Sequence, residues 1–324
     1  MKILTILSIT ACLFAFTTTK TKKKKFENGQ LKYQVNTKSG MLDGKYVSWY
    51  KNGQKKAEGN FKNNQRIGIW TVWDSLGQTR MIRAYENSFQ FKTVAVKNKK
   101  GANISLPEKV TYTLSRNKEG YYEYPVIAEK DVVVSKRIWR TVEPNTANNL
   151  MFDKNKLFEL ILKNILDTKK IIAYDTQSDE FEKELTAAEI KSKIPNMPIV
   201  IGYKIKEDWF FNVSWQLSET RIIGLCPVIK DKDGKQTDLC WIYYPTLRGI
   251  LASEKVNING EPLISTLEDV FQFRCFSSNI YKESNNYGRK ISDYKTGDAI
   301  KEESEAIEMA TLDLEHDTWI RLTE

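Results

Sequence analysis

Through the first third of the chain, apolar and polar positions alternate in short runs broken by Gly. Residues 27–50 and 51–74 align without a gap at a period of 24. Glu27-Asn28-Gly29-Gln30 answers to Lys51-Asn52-Gly53-Gln54, and Lys32 to Lys56. Gly44-Lys45-Tyr46 answers to Gly68-Ile69-Trp70, and Trp49 to Trp73. A further unit opens at Ser75-Leu76-Gly77-Gln78 and fades after Tyr85. Each unit holds an Asn-Gly or similar turn, a short strand, a glycine turn and an aromatic strand, which is one β hairpin per repeat. Tyr46 and Ser48 then share one face, Val47 and Trp49 the other. Tyr46, Trp49, Trp70 and Trp73 admit two readings: core stacked between repeats, or an aromatic ledge for a glycan, lipid or partner.

The pattern dissolves from Phe91 to about Lys118, so residues 91–117 read as a linker or long loop, with one strand at Val110 to Leu114. Beyond it, helices and strands mix without strict alternation, which predicts an α+β unit over 118–324, folding separately from the repeats over 27–90. Leu157, Phe158, Ile161, Leu162, Ile165 and Leu166 form one stripe on a helix begun by Asp153. Thr186 with Glu189 makes a capping box inside a Leu185–Ile190 staple, and Ser265 with Glu268 makes a second box. A last helix carries Ile300, Ile307, Ala310 and Leu314 on one side and ends near Trp319. Ile199 to Phe211, Arg221 to Ile229 and Leu239 to Tyr244 are β-branched and aromatic, and read as strands of an antiparallel sheet.

Charge changes the picture at one end only. The net charge is +9, but Lys2 and the run of Lys20, Lys22, Lys23, Lys24 and Lys25 supply six of those charges, leaving a mildly basic body. The high pI therefore argues little for nucleic acid, and no nucleic-acid motif accompanies it. Lys2 followed by the apolar Ile3 to Phe16 and a threonine stretch reads as a signal peptide over 1–19, followed by a basic arm over 20–26. Ile9-Thr10-Ala11-Cys12 also fits a lipobox, but a lipidated Cys12 would cut the apolar run in half. The unbroken run predicts an exported chain whose mature form starts between Thr17 and Lys20.

Catalytic and metal chemistry is missing from the pattern. His316 is the single histidine, and in Glu315-His316-Asp317 it is either a base or a structural residue near a helix end. There is no C-x-x-C, no phosphate loop and no G-x-S-x-G, so no cofactor or metal is expected. Asp231-Lys232-Asp233-Gly234 is a turn, since a calcium loop needs its glycine two places later. If residues 232–234 form the loop, Cys226 falls opposite Cys240, where neighbours stand about 4.5–5.5 Å apart. A disulfide and a pair of buried thiols both fit. Lys206, Glu207, Asp208 and Trp209 combine charges with an aromatic anchor, which reads as an interface motif, a solvated edge strand or a buried strand end.

Two resemblances follow from these residues. The region 27–85 resembles the bacterial MORN-variant repeat, which implies stacked hairpins and often binding. Tyr122-Glu123-Tyr124-Pro125, a Val134–Arg140 helix, Ile205–Phe211, Arg221–Gly224 and Trp241–Pro245 resemble the GldN/PorN family. Phe276-Ser277-Ser278, Tyr294–Gly297 and Glu315–Trp319 follow in the family's order. That resemblance implies a non-catalytic periplasmic part of the type IX secretion and gliding machinery. It further implies association with a GldK/PorK-like outer-membrane lipoprotein into a ring-like assembly beneath the outer membrane, with other machinery proteins and a homo-oligomer as further partners to expect. The repeats in front depart from the family pattern, so a core ring subunit and an accessory paralogue both stand. The alternative is an envelope glycan- or lipid-binding module that uses the aromatic hairpins.

Overall fold

The computed structural model describes residues 19–105, 115–257 and 263–323. The leader up to residue 18, Cys12 and the Val110–Leu114 strand lie outside these.

Seven strands make the first sheet in chain order, each antiparallel to the next: β1 (Thr19–Lys25), β2 (Leu31–Lys38), β3 (Met41–Trp49), β4 (Lys55–Lys62), β5 (Gln65–Trp73), β6 (Thr79–Tyr85) and β7 (Phe91–Val96). The repeat turns need glycine at Gly29 and Gly53, where φ is +83° and +85°. The turns also bond to each other: Asn28 Nδ2 donates to Lys51 O at 3.0 Å, and Asn52 Nδ2 to Ser75 O at 2.8 Å. The sequence period thus becomes a ladder of side-chain bonds one repeat apart.

Two stretches differ from expectation. The basic arm is strand β1, paired along its whole length with β2. With no apolar residue it shows no hydrophobic period, and the open edge of β2 decides its conformation. The start of the expected linker is strand β7, whose weak Ala-Val alternation falls after the repeat has faded. The linker's far end is also held in place, because Arg116 pairs with Asp269 at 2.9 Å and lies over the Tyr122 ring.

The second sheet contains β8 (Val132–Val142), β9 (Ala173–Tyr174), β10 (Glu184–Leu185), β11 (Ile199–Asn212), β12 (Leu217–Lys230), β13 (Gln236–Asp238), β14 (Trp241–Tyr243) and β15 (Asn279–Glu283). Its order is β10-β9-β14-β12-β11-β8-β15, with β13 extending β12. Around it stand α1 (Asn149–Phe152), α2 (Lys156–Leu166), α3 (Ala187–Lys193), α4 (Tyr244–Ser253), α5 (Leu267–Gln272) and α6 (Asp298–Leu322). An α+β architecture results.

Several local readings shift. Residues 134–140 are strand, not helix, because the Val132-Val133-Val134 run favours extended backbone and β11 and β15 pair with the strand on its two edges. Helix α2 starts at Lys156, after a 3₁₀ turn in which Lys154 and Asn155 take positive φ. The strand at Trp241 stops at Tyr243, where Pro245 opens α4. The capping box of α5 is Thr266 with Asp269, one residue on, since Glu268 turns inward to Arg248 at 2.7 Å.

The cores decide the architecture. One cluster lies between the second sheet and α2, α4 and α5, with Leu157, Phe158, Ile205, Leu225 and Phe271 in it. Another spans both sheets and joins Tyr46 and Trp70 to Ile138, Trp209, Phe211, Ile307 and Trp319. Helix α6 therefore lies between the inner face of the first sheet and the second sheet. Of its expected stripe only Ile307 is fully buried, because Met309, Thr311, Glu315, His316 and Trp319 are covered too. Burying Trp319 removes about 200 Å² from water, worth about 5 kcal/mol at ~25 cal/mol/Å². That gain requires both sheets.

Candidate functional site

The seam between the sheets is the candidate site. A cleft of about 1030 Å³ runs along it, bounded by Lys20 and Lys22 of β1, Tyr33 and Val35 of β2, Arg140 of β8 and Glu308 of α6. The hairpin tips of the first sheet close one end. Asn64, at φ +66°, donates through Nδ2 to both Arg274 O and Phe276 O at 3.0 Å. Its Oδ1 accepts from Leu42 N at 2.7 Å. Gln65 Nε2 donates to Phe273 O. At the Gly40 tip an added Cβ would stand 2.2 Å from Ser277 Oγ. The repeats thus clamp the backbone of residues 273–277.

Charge pairs tie the seam from inside. Glu207, fully buried on β11, receives Arg140 Nε at 2.5 Å and Arg274 Nη1 at 2.8 Å. Arg140 also pairs with Glu308 of α6. Burial alone would raise the Glu207 carboxyl, but the charges of Arg140 and Arg274 outweigh it and hold it below the usual glutamate range. Arg66 of β5 meets Glu315 of α6 at 2.5 Å and lies 5.2 Å from the Trp70 ring centre. Arg83 of β6 lies 3.7 Å from the Trp319 ring centre and donates to Gln216 O at 2.8 Å. Arg80 Nη2 donates to Thr323 O at 2.6 Å. These arginines went unnoticed in the sequence. The available signal was period two: Met81, Arg83 and Tyr85 share one strand face, so Arg83 points where its apolar neighbours point.

The expected interface segment is not a surface. Lys206 and Glu207 are 1% and 0% exposed and Trp209 is buried, because β11 runs between β8 and β12 with both faces covered. Lys206 Nζ reaches Asp179 Oδ1 at 3.0 Å and Glu180 Oε1 at 2.8 Å. Asp208 alone stays half-exposed, held by Arg137 at 2.8 Å. The aromatic ledge divides. Tyr46 and Trp70 are buried and stacked at 5.6 Å against α6, while Trp49 and Trp73 lie half-buried on the opposite face. Strand alternation puts the two pairs on opposite sides of the sheet.

Cys226 and Cys240 are free buried thiols. The expected register holds, since Val228 pairs with Asp238, but no bond joins the sulfurs. Burial raises both thiols, Cys240 to about 12. His316 lies buried against the stacked Tyr46 and Trp70, with ring centres 6.1 and 6.2 Å away. Burial, then the charges of Arg66 and Lys56, push its pKa well below the usual imidazole value. Its surroundings are those of a packed neutral ring. Among the described residues no group of three or more His, Cys, Asp or Glu could hold a metal, and no helix is long and apolar enough to cross a membrane.

Fold and seam together define an α+β protein, in which a repeat-built sheet packs on a helix-and-sheet module through α6 and the buried Arg66–Glu315 pair. The family described as gliding motility associated protein GldN matches residues 127–320. The chain belongs to that family, and so is a component of the gliding-motility and type IX secretion machinery. The first sheet lies ahead of the matched residues. No curated protein matches the chain.

Proposed function

We propose that the chain is a periplasmic assembly component of this machinery, acting through contacts with a GldK/PorK-like outer-membrane lipoprotein and other machinery proteins. The observation that carries the reading is the family match across most of the second sheet and its helices. The apolar signal-peptide pattern of Ile3 to Phe16 supports export. The repeat sheet packs on the inner face of the matched module, which leaves the outward faces for such a contact. The glycan- or lipid-binding alternative loses half of its ledge, because Tyr46 and Trp70 are core.

Affinity purification from envelope fractions tests the proposal. A GldK-like lipoprotein should co-elute in fixed proportion, and the protein should appear in the periplasmic fraction. Recovery of the protein alone, or only from the cytoplasm, would refute it.

A further inference from the structure

We propose that β1 is a docking edge for an acidic extended polypeptide segment, which adds to the first sheet as a further strand. Among the described residues β1 pairs only with β2 and ends the strand order, so its outer backbone groups face no strand. The other end of the sheet is treated differently. The chain after β7 turns back, Lys97 bridges Asn103, and Ile104 N donates to Val96 O at 2.9 Å. The protein's own chain thus caps the Val96 end of β7, whereas among the described residues no strand pairs with the outer side of β1.

The open edge carries its own selectivity. Lys20, Lys22 and Lys24 stand across from Thr37, Val35 and Tyr33 on the inner side, and Lys23 stands across from Gln34 on the outer side. Every residue of β1 except Lys22 is exposed. Lys22 pairs with Glu305 at 2.5 Å, whereas Lys20, Lys23, Lys24 and Lys25 have no ion pair among the described residues. A strand laid beside β1 would meet uncompensated cations on both of its faces. Edge lysines keep neutral and basic strands away. The same charges favour a segment rich in Asp and Glu, so rejection and selection come from one set of residues. The surface does not depend on which machinery the partner belongs to, so its failure leaves the envelope role standing.

The experiment is titration calorimetry on the purified protein with a short extended peptide bearing Asp or Glu at most positions. Controls are its Lys counterpart, a copy N-methylated at alternate amides, and phosphatidylglycerol vesicles. The acidic peptide should bind and the Lys counterpart should not. Binding should weaken about tenfold in Lys23→Glu/Lys25→Glu and fade as salt shortens the Debye length to about 3 Å. N-methylation should abolish it, because strand addition needs the peptide's amides. Undiminished binding of the N-methylated peptide, or of the double variant, would overturn the proposal. So would absence of binding, or binding to vesicles alone. Lys23→Gln/Lys25→Gln, checked by melting, serves if the reversal disturbs folding.

Discussion

Gly59 lies beneath the indole of Trp70: a Cβ added at Gly59 would stand 2.1 Å from Trp70 Cδ2. The relationship explains a break in the repeat. Val35 occupies the equivalent position one period earlier, opposite Tyr46. In the second unit the larger Trp70 takes the place of Tyr46, and the opposing strand gives up its side chain to admit the ring. Trp70 then reaches Tyr46, Phe61 and His316 at once.

Gly59→Ala should therefore cost about 1–3 kcal/mol, the usual effect of overpacking a filled core. Denaturant unfolding measures it. Gly29→Ala also strains its backbone but touches nothing within 4 Å, so it should leave Trp70 fluorescence unchanged while Gly59→Ala shifts it. Unaltered stability in Gly59→Ala would mean that the ring relocates freely.

Glu207→Gln leaves the buried Arg140 and the half-buried Arg274 beside a neutral amide. Removing one partner from a buried pair typically costs about 3–5 kcal/mol. Reversing Lys206, Glu207 and Asp208 together should unfold the protein rather than merely weaken a contact. Equilibrium unfolding of the single variant, and circular dichroism of the triple one, check both. A folded triple variant with a wild-type midpoint would contradict the buried placement.

Acid sensitivity should have a histidine component. His316 stays neutral in the folded protein, whereas the unfolded chain takes a proton there near pH ~6.5. Its contribution is intact above that pH and declines as pH falls toward the lower folded value. Glu207 acts later: its depressed carboxyl contributes above about pH 4.3 and the contribution is lost as pH falls through the folded pKa. The stability curve of His316→Gln should therefore be flatter than wild type below pH ~6.5. Parallel curves would exclude the imidazole as the source.

A fragment starting at Asn117 should not behave as an independent unit. It would expose Phe211, Ile307 and Trp319 and would leave Glu315 without Arg66. Such a fragment should bind a hydrophobic dye and melt without a sharp transition. Cooperative unfolding at the full chain's midpoint would restore the picture of separate domains.

The repeat was legible because its cause is local. Asn-Gly turns and alternating strands act over a few residues, so a period of 24 converts directly into hairpins. The Thr186–Glu189 box and strands β11 and β12 were readable for the same reason. Residues 134–140 were not, because their hydrophobic spacing suits either element until neighbouring strands take up their hydrogen bonds.

Sequence alone determined the hairpin repeats, the α+β class, the Asp231–Lys235 turn and the resemblance that the family match bears out. Tertiary structure alone decided where the charges go. Lys206 and Glu207 read as surface, because charged side chains are seldom buried without partners. Their partners, Asp179, Glu180, Arg140 and Arg274, lie 26 to 67 residues away in the chain. It also decided that the repeats and the module share a core. Whether Tyr46 and Trp70 form a ledge or an interior depends on what covers them, and the cover is α6, which local pattern cannot bring from the far end of the chain.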